Sequence, residues 1–336
     1  MKRLVGIAVA AAITLATLAY AVRGVDMLEL WRTLIGGRLW VIPPFLLVLA
    51  LFFYSNAQRW SWMLIRFGHF TPRQLLPSMM IGFAANNVLP FRIGELIRAH
   101  LLAREQALAR SGILMNLVLE RLLDLLGILT IFVIGLLLMP NPPDTFRTSA
   151  WVATAAVFGL ATVLAGLLFF PTQIDRLWRT VARPLPNSLR ERGSIYLEQF
   201  EKALAPMRDP LLAPLLLIQS VGRWFLAVLL AWLCIYAYTD LVSLPAAMVT
   251  IGITAFAVAL PSAPGFIGPM HAAFVFSLTP FGISQEAALA ASVLFLVGHW
   301  IPITAIGAIL LAARHLSFRE LATRAEQDAD LPRSGE

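Results

Sequence analysis

Cysteine is almost absent: Cys234 is the single one in 336 residues, and it sits inside an apolar run. With no partner in the chain there is no disulfide framework, so side-chain packing has to hold the fold. Charge is scarce as well. Only 13% of residues are charged, against about a quarter in soluble domains, while 59% are hydrophobic and the mean hydropathy is +0.78. No His-x-x-x-His or Cys-x-x-Cys spacing suggests a metal site, and no Gly-x-Ser-x-Gly elbow suggests a hydrolase. No phosphate-binding loop ends in Gly-Lys-Ser or Gly-Lys-Thr, so the chain is not expected to drive transport with ATP by itself. No cofactor and no metal are expected. The formal net charge of +7 comes from basic residues in loops between apolar runs, not from a patch with interleaved aromatics, which argues against a nucleic-acid partner.

What the sequence holds in quantity is apolar runs of bilayer length, about 20 residues each. They read as spans at 4–22, 39–65, 113–139, 150–170, 211–238 and 287–312. Ala19-Tyr20-Ala21 has the small-x-small form of a signal cleavage site, but a 19-residue run exceeds a signal core and more spans follow, so the first is read as an uncleaved helix. Two further apolar segments, near 75–104 and 245–280, are broken by Pro and Gly. The expected class is therefore an all-α, polytopic membrane protein with about six full spans and two re-entrant hairpins. Residues 1–313 form one membrane domain, with a cytoplasmic linker at 173–208, and 314–336 form a short polar tail.

Lys and Arg set the orientation. With the N-terminus inside, nineteen of the 26 fall on the cytoplasmic side, from Lys2 and Arg3 to Arg314 and Arg333, and only Arg23, Arg32, Arg38 and Arg147 outside. Arg59, Arg121 and Arg223 lie within spans. Both termini are expected in the cytoplasm of a bacterial inner-membrane protein. This topology makes the first broken segment enter from the cytoplasm and the second from the opposite face. Their turns are alike: "LPFRIG" carries Pro90 and Gly94, "LPSAPG" carries Pro261 and Gly265, and the two prolines are 171 residues apart, about half the chain. That is the pattern of an inverted repeat, whose paired broken segments point to a binding site near the midplane.

Broken backbone at membrane depth needs an enclosed polar surrounding, so Asn86, Asn87 and the turn after them mark a candidate site. Beyond the turn, Arg92 with Glu95 and Glu95 with Arg98 are i,i+3 pairs. The next span carries "LERLLDLLG", with Glu120 and Asp124 one turn apart and Arg121 between them. An ionisable residue within a span costs about 3 kcal/mol on insertion scales and is a functional candidate by default. Arg92, Arg121 and Arg223 are the available partners for the two acids, which hold either a structural network or a substrate. The surplus of Arg over carboxylates suits an anionic head group, since the guanidinium fork matches phosphate, and Arg92 and Arg98 are the expected phosphate contacts.

The strings "NNVLPFRIGELIRAHLL", "SGILMNLVLERLLD", "LPSAPGFIGPMHAAF" and "FGISQEAALAASVLF" together resemble the flippase-like membrane domain family. That family includes the membrane half of lysylphosphatidylglycerol synthases and stand-alone bacterial proteins. The likeness runs from the first helix to about Ala313. It implies movement of a lipid with a charged or bulky head group between leaflets. It places Asn87, Pro90, Arg92, Gly94, Glu95 and Arg98 on the first motif, Glu120, Arg121 and Asp124 on the second, and Pro264, Gly265 and Gly268 on the third. Two departures leave the head group and any proton coupling open: His271 stands where many relatives carry Glu, and a basic residue common in the last helix is replaced by apolar positions around Phe295. His271 is either a titratable switch or, as lone histidines more often are, a hydrogen-bonded packing residue. The same default applies to His299.

The linker, with Trp178, Ile195, Leu197 and Phe200 as apolar positions, is expected on the anionic inner leaflet. The aromatic cluster "FFYSNAQRWSW", with Trp60 and Trp62, is read as an interfacial belt. The tail "SFRELATRAEQDADLPRSGE" is expected to be disordered and leaves no room for the transferase of the synthase relatives. The leading expectation is a lipid translocator, not an enzyme, acting on a phospholipid, an aminoacylated phospholipid, a polyprenyl-phosphate or a hopanoid. Two alternatives stay open: an intramembrane enzyme using Glu120 and Asp124 as acid and base, and a non-transporting scaffold for a lipid synthase. Lipid-synthesis enzymes are candidate protein partners, and a homo-oligomer is compatible with the sequence.

Overall fold

The computed structural model describes residues 2–89, 93–106, 108–139, 142–260, 264–314 and residue 321. Among them are thirteen α-helices and no strand. The first half contains α1 (Lys2–Val22), α2 (Met27–Ile35), α3 (Ile42–Met63), α4 (Pro72–Val88), α5 (Gly94–Glu105), α6 (Arg110–Leu137) and α7 (Asp144–Phe169). The second contains α8 (Pro171–Val181), α9 (Asn187–Leu204), α10 (Leu212–Tyr236), α11 (Leu244–Ala257), α12 (Pro269–Leu278) and α13 (Gln285–Ala313). Helix is what an apolar chain adopts in lipid, because each segment then satisfies its own backbone N–H and C=O groups.

The six expected spans resolve into three kinds. Four helices are long and apolar enough to cross a bilayer: Leu39–Met63, Phe146–Phe169, Leu212–Tyr236 and Gln285–Ala313. The third run, α6, is 28 residues long, about 42 Å at 1.5 Å per residue, but Glu120, Arg121 and Asp124 lie within it. The first run is helical throughout as α1, and from 8 to 22 it forms with α2 a pair bent by 86°. Asp26 makes the corner, accepting from the backbone N–H of Leu28 at 2.8 Å and of Glu29 at 3.2 Å. Hydropathy shows α1 and is silent on the turn that follows it.

Both broken segments are helical pairs. α4, of 17 residues, folds back on α5, of 12, and α11, of 14, on α12, of 10. Each is short of the roughly 20 residues a spanning helix needs. Pro90 and Pro261 of the two tips lie outside the described residues. The exit from the second tip is described, and it is left-handed at Gly265 (φ 78°), Phe266 (φ 61°) and Gly268 (φ 96°). A Cβ on Gly268 would come within 2.7 Å of the Thr14 carbonyl oxygen, so α1 packs directly on this exit.

The two halves exchange partners. α4 lies along α13, α11 lies along α6, and α3 packs on α10. Small residues allow the close approach: a Cβ on Gly307 would meet the Met80 carbonyl oxygen at 3.1 Å, and one on Gly135 would meet the Met248 Cβ at 2.7 Å. The pairing maps onto itself when the halves are swapped, as a repeat requires.

Between the halves, the linker expected at 173–208 is helical. α9 packs on α6, and Trp178 covers Gly193 while its Nε1 donates to Ser194 Oγ at 3.2 Å. Asp209 opens α10 by accepting from the backbone N–H of Leu212 and Leu211, which holds its carboxyl below the usual carboxylate range. Of the tail 314–336, only Arg314 and Leu321 are among the described residues.

Candidate functional site

Four guanidinium groups and three carboxylates gather where α3, α5, α6 and α10 meet. Glu120, on α6 and 1% exposed, is held by Arg98 of α5: Nη1 donates to Oε1 at 3.2 Å and Nη2 to Oε2. This is the two-pronged geometry that gives arginine its strongest carboxylate contacts. The Arg98 guanidinium also lies over the Trp60 ring, 3.8 Å from its centroid. Trp60 is itself fixed, with Nε1 donating to Asn116 Oδ1 at 3.0 Å while Asn116 Nδ2 donates to the Met63 carbonyl at 2.9 Å. One turn along α6, Asp124 pairs with Arg223 of α10 and, at 2.7 Å, with Arg59 of α3. Arg59 also reaches Glu120 Oε1 at 3.8 Å and donates to Ser220 Oγ at 3.1 Å.

Arg121 forms the open edge of this network. It lies 3.3 Å from Glu120, 3.6 Å from Asp124 and 3.6 Å from Glu95, and its side chain is 39% exposed. Arg59, Arg98, Arg121 and Arg223 face Glu95, Glu120 and Asp124, which leaves one positive charge in surplus among the described residues.

Arg121 and Glu95 also line a cavity of about 250 Å³. Its wall joins the two hairpins: Phe83, Asn86, Asn87 and Glu95 come from the first, and Val258, Gly265, Phe266 and Met270 from the second. Phe52 and Phe53 of α3 and Phe295, Leu296, His299, Trp300 and Ile303 of α13 complete it. Asn87 Nδ2 donates to Thr304 Oγ1 at 3.0 Å. Asn86 Oδ1 is buried and accepts no hydrogen bond among the described residues. The surface is thus largely aromatic, with one ion pair and two amides on one side.

The residues singled out from sequence divide into groups. Asn86, Asn87, Glu95, Arg121 and Gly265 face the cavity, and Arg98, Glu120, Asp124 and Arg223 form the sealed part of the network behind it. Arg98 is a correction. Its i,i+3 spacing suggested a pair with Glu95 and its charge a phosphate, but its fork is filled by Glu120 and it is 2% exposed. His271 stands apart, buried with Nδ1 2.7 Å from Ser292 Oγ. Arg92 and the Pro264 side chain lie outside the described residues.

Sequence reasoning missed Arg59, and it placed Trp60 in an interfacial belt although the side chain is fully buried under Arg98. The available signal was Arg59 itself, a charge within a predicted span. His299 and Trp300, which carry no such signal, also reach the cavity. His299 Nδ1 lies 2.8 Å from the Phe295 carbonyl oxygen, a local contact that leaves the ring against the cavity.

No curated protein and no solved structure matches this chain. A family model described as the lysylphosphatidylglycerol synthase TM region matches residues 4–307, nearly the whole length that the sequence motifs cover. With its helical membrane architecture and the two hairpins meeting at one cavity, the chain belongs to the lysylphosphatidylglycerol synthase TM region family.

Proposed function

We propose that this protein moves a lipid with a phosphate-bearing head group between the leaflets of a bacterial inner membrane, with both termini cytoplasmic, and that it is not an enzyme. The observation that carries the reading is the cavity shared by the two hairpins, where Arg121 is the only guanidinium among the described lining residues. A phosphate fits the Arg121 fork by displacing Glu95, whose contact at 3.6 Å is longer than a hydrogen bond and whose side chain is 30% exposed. The Asn86 and Asn87 amides add neutral hydrogen-bonding groups for the rest of the head group. Family membership supports lipid handling, and the Arg favours phospholipid, aminoacylated phospholipid or polyprenyl-phosphate over a hopanoid. Glu120 and Asp124 are each tied to two or more guanidinium groups, which suits a scaffold better than an acid–base pair.

The test is leaflet exchange of fluorescent lipids of several head-group classes in liposomes containing the purified protein. Wild type is expected to accelerate one phosphate-bearing class. Arg121→Gln should slow it by about tenfold or more, the scale of one lost charge-assisted hydrogen bond. Folding should survive, because Arg59, Arg98 and Arg223 still balance Glu120 and Asp124. If no class moves faster than in protein-free liposomes, translocation is refuted.

A further inference from the structure

The α13 helix separates two surfaces, and one residue stands on the boundary. Leu296, His299 and Ile303 line the cavity, and at about 100° per residue they cluster on one side of the helix. Val297 and Ile301 are exposed on the opposite side, and Ile309 continues that apolar face further along. An exposed apolar face on a spanning helix is covered by acyl chains. Trp300 falls between the two sides: it lines the cavity and is also 38% exposed.

Trp300 touches both hairpins as well. Its Nε1 donates to the Asn87 carbonyl oxygen at 3.4 Å, and it lies 3.2 Å from where a Cβ on Gly265 would stand. Two residues on, Pro302 lies inside the helix. Proline has no N–H for the residue 298 carbonyl, and such sites are where helices bend.

We infer that the cavity opens sideways into the bilayer beside Trp300, admitting a lipid head group while the chains stay on the outer face of α13, with Trp300 as the lip that limits head-group size. This deepens the translocation reading and rests on it for its purpose, yet the opening can be measured without translocation.

Leu296→Cys places a thiol on the cavity wall of the full-length protein, and the parent chain controls for Cys234, which is fully buried. The probe is phosphatidylethanolamine carrying a maleimide on its head group, in liposomes, compared with a soluble membrane-impermeant maleimide. The lipid-linked reagent should label Leu296→Cys. Adding Trp300→Ala should speed that labelling about fivefold, the scale of one lost aromatic contact, whereas Trp300→Phe should stay near the wild-type rate. Ile303→Cys, on the same wall, provides a second reporter if the first variant folds poorly.

Labelling only by the soluble reagent, or lipid-linked labelling at a rate indifferent to residue 300, overturns the inference. Head-group labelling without leaflet exchange would keep the side opening and discard translocation. Leaflet exchange without labelling would do the reverse.

Discussion

Replacing Glu120 by Ala is expected to destabilise the protein by about 3–5 kcal/mol, the cost of leaving a buried charge without its partner. Glu120 is 1% exposed and is the sole carboxylate holding the two-pronged contact of Arg98. Arg98 is 2% exposed, so without Glu120 its charge stays buried with the Trp60 and Phe83 ring faces as its neighbours among the described residues. Arg59 loses one of two carboxylate neighbours, at 3.8 Å, and Arg121 one of three, at 3.3 Å. Glu120→Gln keeps the shape and one acceptor and should fall between wild type and Ala. Adding Arg98→Met to Glu120→Ala should recover part of the loss, since removing both members of a buried pair is far milder than removing one. Thermal midpoints of detergent-purified protein, read by size-exclusion recovery, check the order. A Glu120→Ala midpoint equal to that of wild type would mean that the network contributes no stability.

Gly94→Ala should be the most damaging single-methyl change in the chain. Gly94 begins α5, and a Cβ there would lie 2.6 Å from Asn86 Oδ1 while also overlapping the Gly82 carbonyl oxygen. Both obstacles belong to α4, so relief requires the two arms of the hairpin to part. The cost should be at least the roughly 1–3 kcal/mol of an overpacked core. The damage reaches function because α5 carries Glu95 at the cavity and Arg98 in the network. The fitting control is Gly166→Ala on α7, where a Cβ meets nothing within 4 Å. Replacing that glycine, in the last turn of α7, should be neutral or stabilising by up to about 1 kcal/mol. Comparable melting of the two variants would contradict the close crossing of α4 and α5.

Those two positions also mark what could be read in advance. The hairpins were legible because Pro and Gly interrupt apolar runs at matching places in the two halves, and Glu120, Asp124, Arg98 and Arg223 were legible as charges in an apolar setting. Their pairing was not. Sequence spacing joins Glu95 to Arg98, but Arg98 crosses to α6 and Glu95 is left to Arg121. Tertiary packing decides between partners that local spacing makes equally close. Arg59 and Trp60 were hidden for a related reason: in "FFYSNAQRWSW" they resemble an interfacial belt, and nothing local tells which way α3 is turned. The aromatic wall of the cavity is equally silent, since Phe and Trp are unremarkable in a membrane chain.

The exchange of partners between halves also has a history within each molecule, because the ribosome makes the halves in sequence. When α4 and α5 have been synthesised, α13, against which α4 packs, is still roughly 200 residues away, about 10–40 s at ribosomal speeds. α6 waits similarly for α11, and Asp124 for Arg223. During that interval the first half has its arginines and acids in the membrane but not the surfaces that bury them. A nascent chain stopped before α10 should therefore be a substrate for membrane quality control, and the late-made α13 is the helix that completes the first hairpin.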